Sequence, residues 1–125
     1  MNVVNLSHEN LEMNESERFQ IFFEDREVLD SEIVVCMLVY NGGFEVSEAI
    51  NSIRSQETTR SVGILIIDGG ECDDWKIHVN SFKEIAIVNV NNFTVSQARN
   101  FSHQICNMAF LNAKWICRLD SDDIL

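Results

Sequence analysis

The chain has 125 residues, a length that fits one domain, and its composition, 46% hydrophobic and 23% charged, excludes disorder as the dominant state. Nine basic residues against twenty acidic ones give a net charge of −11, which excludes a general nucleic-acid binder, because neutralising phosphates needs a basic footprint. No apolar run approaches the about 18 residues of a membrane span, and the N-terminus is acidic, unlike a secretion signal, so the expected setting is soluble and cytoplasmic.

The charge is unevenly spread. Residues 1–32 hold nine acids and two arginines, a net of −7, whereas residues 33–125 hold eleven acids and seven bases, a net of −4. This shift divides the chain into an acidic leader, 1–32, and a domain, 33–125. In the leader a helix is expected over about 7–28, because Leu11, Phe19, Phe22 and Phe23 fall near one helical face and Ser7 can cap it.

From residue 33 onward strands alternate with helices. The run 33–40 (IVVCMLVY) is apolar and β-branched, as expected of a strand buried on both faces, and Asn41-Gly42-Gly43 breaks it. Val46, Ala49, Ile50 and Ile53 recur at helical spacing within 44–56. A second buried strand, 62–67 (VGILII), ends at Asp68-Gly69-Gly70. The stretch 73–82 has no clear period. A third strand is expected at 84–90. A helix over 95–113 has Ala98, Phe101, Ile105, Met108 and Ala109 on one face. A fourth strand, 114–119, runs into Asp120-Ser121-Asp122-Asp123.

This alternation predicts an α/β three-layer sandwich with a mainly parallel, Rossmann-like sheet, preceded by the acidic N-terminal helix. The four cysteines form no C-x-x-C pair. Cys36, Cys106 and Cys117 sit among apolar residues and are expected to be buried, with Cys72 the one in a polar loop.

Ligands of such sheets bind beyond the carboxyl ends of the strands. Those ends carry Tyr40, Asn41, Asp68, Asp120, Asp122 and Asp123. Three carboxylates within four residues repel one another, and a hard divalent cation such as Mn²⁺ or Mg²⁺ relieves that repulsion; a solvated acidic turn is the alternative. Tyr40 can be an edge residue of the core or a stacking platform for a base. Asp68 can be a turn residue or a ligand contact. Arg99 lies near the start of a helix, where the helix dipole disfavours a cation, so an anionic partner is expected, either a protein carboxylate or a phosphate.

Taken together, VVCMLVYN (34–41), IIDGGECDD (66–74), SQARN (96–100) and LDSDD (119–123) resemble the nucleotide-binding part of family 2 glycosyltransferases, which have the GT-A fold. The likeness spans 33–125, with Leu38-Val39 where the family has a proline before the tyrosine and Glu71-Cys72 where it has Ser-Thr. It implies that Tyr40 flanks the base of a nucleotide-sugar, that Asp68 hydrogen-bonds that base, and that Arg99 lies beside the nucleotide. It also implies that Asp120 contacts the ribose or the metal's shell and that Asp122 ligates Mn²⁺ or Mg²⁺. The implied reaction is transfer of a sugar from a nucleoside-diphosphate donor, a UDP-sugar foremost, to an unknown acceptor.

No residue matches the family's catalytic base, and the chain is expected to be incomplete for catalysis. In the GT-A arrangement the fourth strand lies beside the first, so Trp115, Ile116 and Leu119 are expected on an exposed edge prone to self-association. Three alternatives are weighed against this reading. A haloacid-dehalogenase-like phosphatase accounts for D-x-D but not for DGG or ARN upstream. A non-catalytic nucleotide-binding or interaction module fits the missing base. An EF-hand loop lacks its bidentate glutamate.

Overall fold

The computed structural model describes residues 2–6, 30–56, 58–70, 74–78, 84–90 and 93–120. Five parallel strands form one sheet: β1 (Asn2–Leu6), β2 (Ile33–Val39), β3 (Val62–Asp68), β4 (Ile85–Val90) and β5 (Trp115–Asp120). Their spatial order is β1-β4-β3-β2-β5. Two helices, α1 (Phe44–Arg54) and α2 (Val95–Ala109), and a short 3-10 turn at Asp74–His78 complete the described elements.

The strand order explains why the helices lie on opposite faces. Crossovers between parallel strands are right-handed. The chain steps from β2 to its neighbour β3 through α1, then from β4 back across β3 and β2 to β5 through α2. Reversing the direction of travel moves the crossover to the other face. One face of the sheet (Val34, Cys36, Leu65, Ile67, Ala86, Val88) therefore packs on Ala98, Phe101, Ile105 and Cys106 of α2. The other face (Val35, Met37, Ile64, Ile66, Ile85, Ile87) packs on Val46, Ala49, Ile50 and Ile53 of α1 and on Trp75. Burial on both faces is why β2, β3 and β4 read as continuous apolar runs.

The strands expected at 33–40, 62–67, 84–90 and 114–119 are present within a residue or two, and β5 does lie beside β2. Two features differ. The sequence reading assigns no strand before residue 33, yet Asn2–Leu6 pairs with β4 and forms one edge of the sheet. The helix expected over 95–113 stops at Ala109, because Phe110, with φ −92° and ψ 66°, leaves the helical region and buries its ring in the core. The helix expected over 7–28 lies outside the described residues.

Cys36 and Cys106 are buried and in contact, Sγ to Sγ 3.6 Å. Cys117 was expected to be buried and is exposed. It sits on β5, an edge strand among the described residues. Among the described residues no helix is long and apolar enough to cross a membrane.

Candidate functional site

Register brings the carboxyl ends of the central strands to one level: Val39 of β2, Asp68 of β3 and Asn89 of β4 align. Just beyond them a cleft of about 390 Å³ opens towards the start of α2. Leu38, Ile67 and Val90 form its floor, and Tyr40, Phe93 and Arg99 stand around it. Phe93 is fixed edge-on to Phe101, with ring centroids 5.6 Å apart.

The loops around the cleft are held by their backbones. Asn41 has a φ of 50°, a left-handed conformation that asparagine tolerates. The Gly69 N–H donates to the Val39 carbonyl at 2.9 Å. A side chain at Gly70 would collide with the Asn41 backbone, and a Cβ on Gly42 would lie 2.5 Å from Val46 Cγ2 and 2.7 Å from Val39 Cγ1. Both glycines are therefore required by close approach, and the loops after β2 and β3 interlock. Tyr40, 77% exposed, is presented at the rim by this arrangement.

The α2 side is fixed by a capping box. Thr94 Oγ1 accepts from the Gln97 N–H at 3.1 Å, and Gln97 Oε1 accepts from the Thr94 N–H at 2.9 Å. Arg99 follows one turn later and is half-buried. Among the described residues no carboxylate pairs with it. Of the two anionic partners expected for Arg99, the described protein residues do not supply one.

The structure thus brings Tyr40 and Arg99 to one cleft and leaves Asp68 outside it. Side chains alternate along β3, so Asp68 shares the α1 face with Ile64 and Ile66 and is fully buried. Its Oδ1 accepts from the Gly70 N–H at 3.0 Å, and its Oδ2 lies 3.1 Å from Lys76 Nζ. Lys76 also donates to Asn89 Oδ1 at 2.9 Å. Asp120 ends β5 at the register position opposite Leu38, a floor residue of the cleft. Asp122 lies outside the described residues. Carboxylate oxygens suit a hard divalent cation, so Asp120 and Asp122 fit Mn²⁺ or Mg²⁺ in donor chemistry. Among the described residues no three His, Cys, Asp or Glu side chains gather to hold a metal ion.

A second cavity of about 400 Å³ lies at the amino end of the sheet, between Ser31, Arg54, Arg60 and Glu84. Its arginines are already neutralised, Arg54 by Glu84 and Arg60 by Glu32 at 2.8 Å. It is both at the wrong end for an open parallel sheet and lacking an uncompensated charge, so the carboxyl-end cleft is the better candidate.

Sequence reading missed Gly69, Phe93 and Lys76. Gly69 carried a usable signal, since it directly follows the polar residue that ends a buried strand. Phe93 and Lys76 sit in polar stretches without a period. Comparison of the chain with models of protein families, with curated protein sequences and with solved structures finds no match.

Proposed function

We propose that the cleft binds the donor of a glycosyl transfer, a nucleoside-diphosphate sugar with a UDP-sugar foremost, and that the chain contributes the donor site of a glycosyltransferase. The observation that carries this reading is Arg99. In a chain of net charge −11 it is a half-buried cation, in a cleft, with no carboxylate partner among the described residues. A bound diphosphate is the anion that satisfies it. Tyr40 at the rim offers a face for the base, and the amino end of α2, whose dipole favours negative charge, borders the same space. The motif order 34–41, 66–74, 96–100, 119–123 supports the same reading.

Asp122, with Asp120, is the residue that would hold Mn²⁺ or Mg²⁺. Held there, the ion would supply positive charge to offset that of the leaving diphosphate. The reaction breaks the bond between the anomeric carbon and the diphosphate oxygen and forms one to an acceptor oxygen, whose proton passes to a base. No residue of this sequence is assigned as that base. Arg99 and Tyr40 bind and orient; Asp68 does so indirectly, by shaping the turn at Gly69-Gly70.

The test is thermal stability with UDP, GDP, dTDP and ADP, each with Mn²⁺ or with EDTA, on the chain and on Arg99→Ala and Asp122→Asn. A nucleotide at about 100 times its Kd adds roughly 2.7 kcal/mol, a shift of several degrees for a domain of this size. Loss of a charge-assisted contact in Arg99→Ala is expected to weaken binding about 10- to 100-fold. A folded chain that no diphosphate stabilises would overturn the proposal.

A further inference from the structure

Two cysteines meet in the core, away from the cleft and its ligand groups. Cys36, on the central strand β2, and Cys106, on α2, are 70 residues apart in sequence, yet their sulfurs are 3.6 Å apart. Both thiols are free and buried, among the apolar side chains that join the sheet to α2. A single buried cysteine is ordinarily a small hydrophobe. A facing pair is different, because one sulfur can attack the other once that other is oxidised. A disulfide bond is about 2.05 Å long, so the sulfurs have to close by about 1.5 Å, a movement on the scale of a side-chain torsion.

The surroundings set the two sulfurs apart. Arg118 is the register partner of Cys36 on β5, and paired residues of parallel strands share a face, so this cation stands on the Cys36 side of the sheet. The Cys106 thiol donates to the Cys36 sulfur, and the Arg118 charge acts in the same sense, so the Cys36 pKa lies below the ordinary 9.0 despite burial. The same hydrogen bond, together with burial, pushes Cys106 up. Cys36 is therefore the attacking sulfur and Cys106 the resolving one. Access comes through α2. Cys106 lies in its last turn, where its carbonyl accepts from the Phe110 N–H at 3.2 Å. Helix ends open at a lower free-energy cost than the middle of a core, and such opening admits a small oxidant to both sulfurs.

We propose that Cys36 and Cys106 form a redox site, converted by a peroxide into a reversible disulfide that staples α2 to β2. The Cys36 thiolate attacks one oxygen of hydrogen peroxide. The O–O bond breaks, hydroxide leaves and is protonated by solvent, and Cys36 becomes a sulfenic acid. The Cys106 sulfur then attacks the Cys36 sulfur. The S–S bond forms, the S–O bond breaks, and the departing hydroxide takes the Cys106 proton as water. Two electrons pass from the sulfur pair to the peroxide, and a small thiol reductant returns them by exchange. The staple joins the strand that leads to Tyr40 to the helix that carries Arg99. The site stands whether or not the cleft binds a nucleotide.

The test uses the chain with Cys72→Ser and Cys117→Ser, which leaves the pair as its only thiols. It is incubated with hydrogen peroxide until glutathione in the same solution is fully oxidised, then denatured, alkylated and weighed, with peptide mapping and a melting temperature on the same sample. The expected result is the loss of two hydrogen atoms, no alkylation, a linked peptide pair containing Cys36 and Cys106, and full reversal by dithiothreitol. A staple across so long a loop should raise the melting temperature by at least about 5 °C, and Cys106→Ala should abolish the gain. Two thiols that both remain open to alkylation overturn the inference. Oxidation to sulfinic acid without a cross-link, linkage between copies of the chain, or a cross-link that leaves the melting temperature unchanged or lower overturns it as well. Should the double variant not fold, the unaltered chain is mapped in the same way, since links to Cys72 or Cys117 give peptides of different mass.

Discussion

Asp68 sits at the junction of two demands. Its Oδ1 shapes the turn that carries Gly69 and Gly70, and its Oδ2 neutralises Lys76, whose side chain is only 15% exposed. Removing one member of such a pair leaves the other charge poorly solvated, which costs about 3 kcal/mol at the low end of the usual range. Asp68→Asn is therefore expected to lose roughly that much in a urea titration while the folded variant keeps its nucleotide affinity within a few-fold. A large affinity loss at unchanged stability would instead make Asp68 a direct ligand contact. Glu45 gives a pH-dependent effect of the opposite exposure. The Gly43 N–H donates to its carboxylate at 2.9 Å at the amino end of α1, and this bond holds its pKa below the ordinary 4.5. A depressed carboxylate stabilises the fold above its unfolded pKa and ceases to do so as pH falls through the folded value. Melting temperatures of the chain and of Glu45→Gln should thus differ at neutral pH and converge as pH drops below about 4.5. A gap that persists at low pH would assign the effect to something other than ionisation.

At the scale of elements, α2 carries the cleft's cation, and its start is set by Thr94. Thr94→Ala removes one half of the capping box, which costs about 1 kcal/mol and lowers the melting temperature by roughly 4 °C. An unchanged melting temperature would mean that packing of Phe101 and Ile105, not the cap, fixes where the helix begins. The elements themselves were largely legible in the sequence, because strands buried on both faces leave an unbroken apolar run and helices against the sheet leave a 3.6-residue period. β1 was not legible: five residues, Asn2–Leu6, precede a long acidic stretch, and only their pairing with β4 distinguishes them from a tail. The candidate site was half legible. Position along the chain marks which residues reach the carboxyl end of the sheet, so Tyr40 and Arg99 emerged. It does not mark the face on which a strand-ending residue points. A single step of the period-2 alternation separates Asp68, in the α1-side core, from Gly69, in the cleft.

The sheet as a whole is covered unequally. β2, β3 and β4 lie under α1 on one face and α2 on the other, whereas among the described residues β5 pairs with β2 alone and only its Leu119 packs against a core cluster. The consequence is a partly bare edge. Trp115 is 46% exposed, although the Arg60 guanidinium, itself paired with Glu32, stacks 4.5 Å from its ring centroid. Ile116, 39% exposed, faces the other side of the sheet. Beside β5 on the α1 face, Ile33, Val35, Ile53, Val62 and Leu119 line an apolar trough of about 210 Å³. An edge strand with exposed apolar side chains is a template for pairing with another chain, and natural edges are commonly protected by a charge, lysine above all. Here the cations nearest Ile116 in sequence, Lys114 and Arg118, flank it without replacing it. The expected behaviour is self-association of the chain at tens of micromolar, visible as a concentration-dependent mass in light scattering. Ile116→Lys places a charge in the centre of the edge and should shift the population towards monomer. Because Ile116 is not part of the buried core, the substitution should leave the melting temperature at low concentration within a degree or two. A monodisperse monomer of the unaltered chain at that concentration would show that side-chain exposure on β5 is insufficient to recruit a second copy. It would also show that the charges along the edge protect it as they stand.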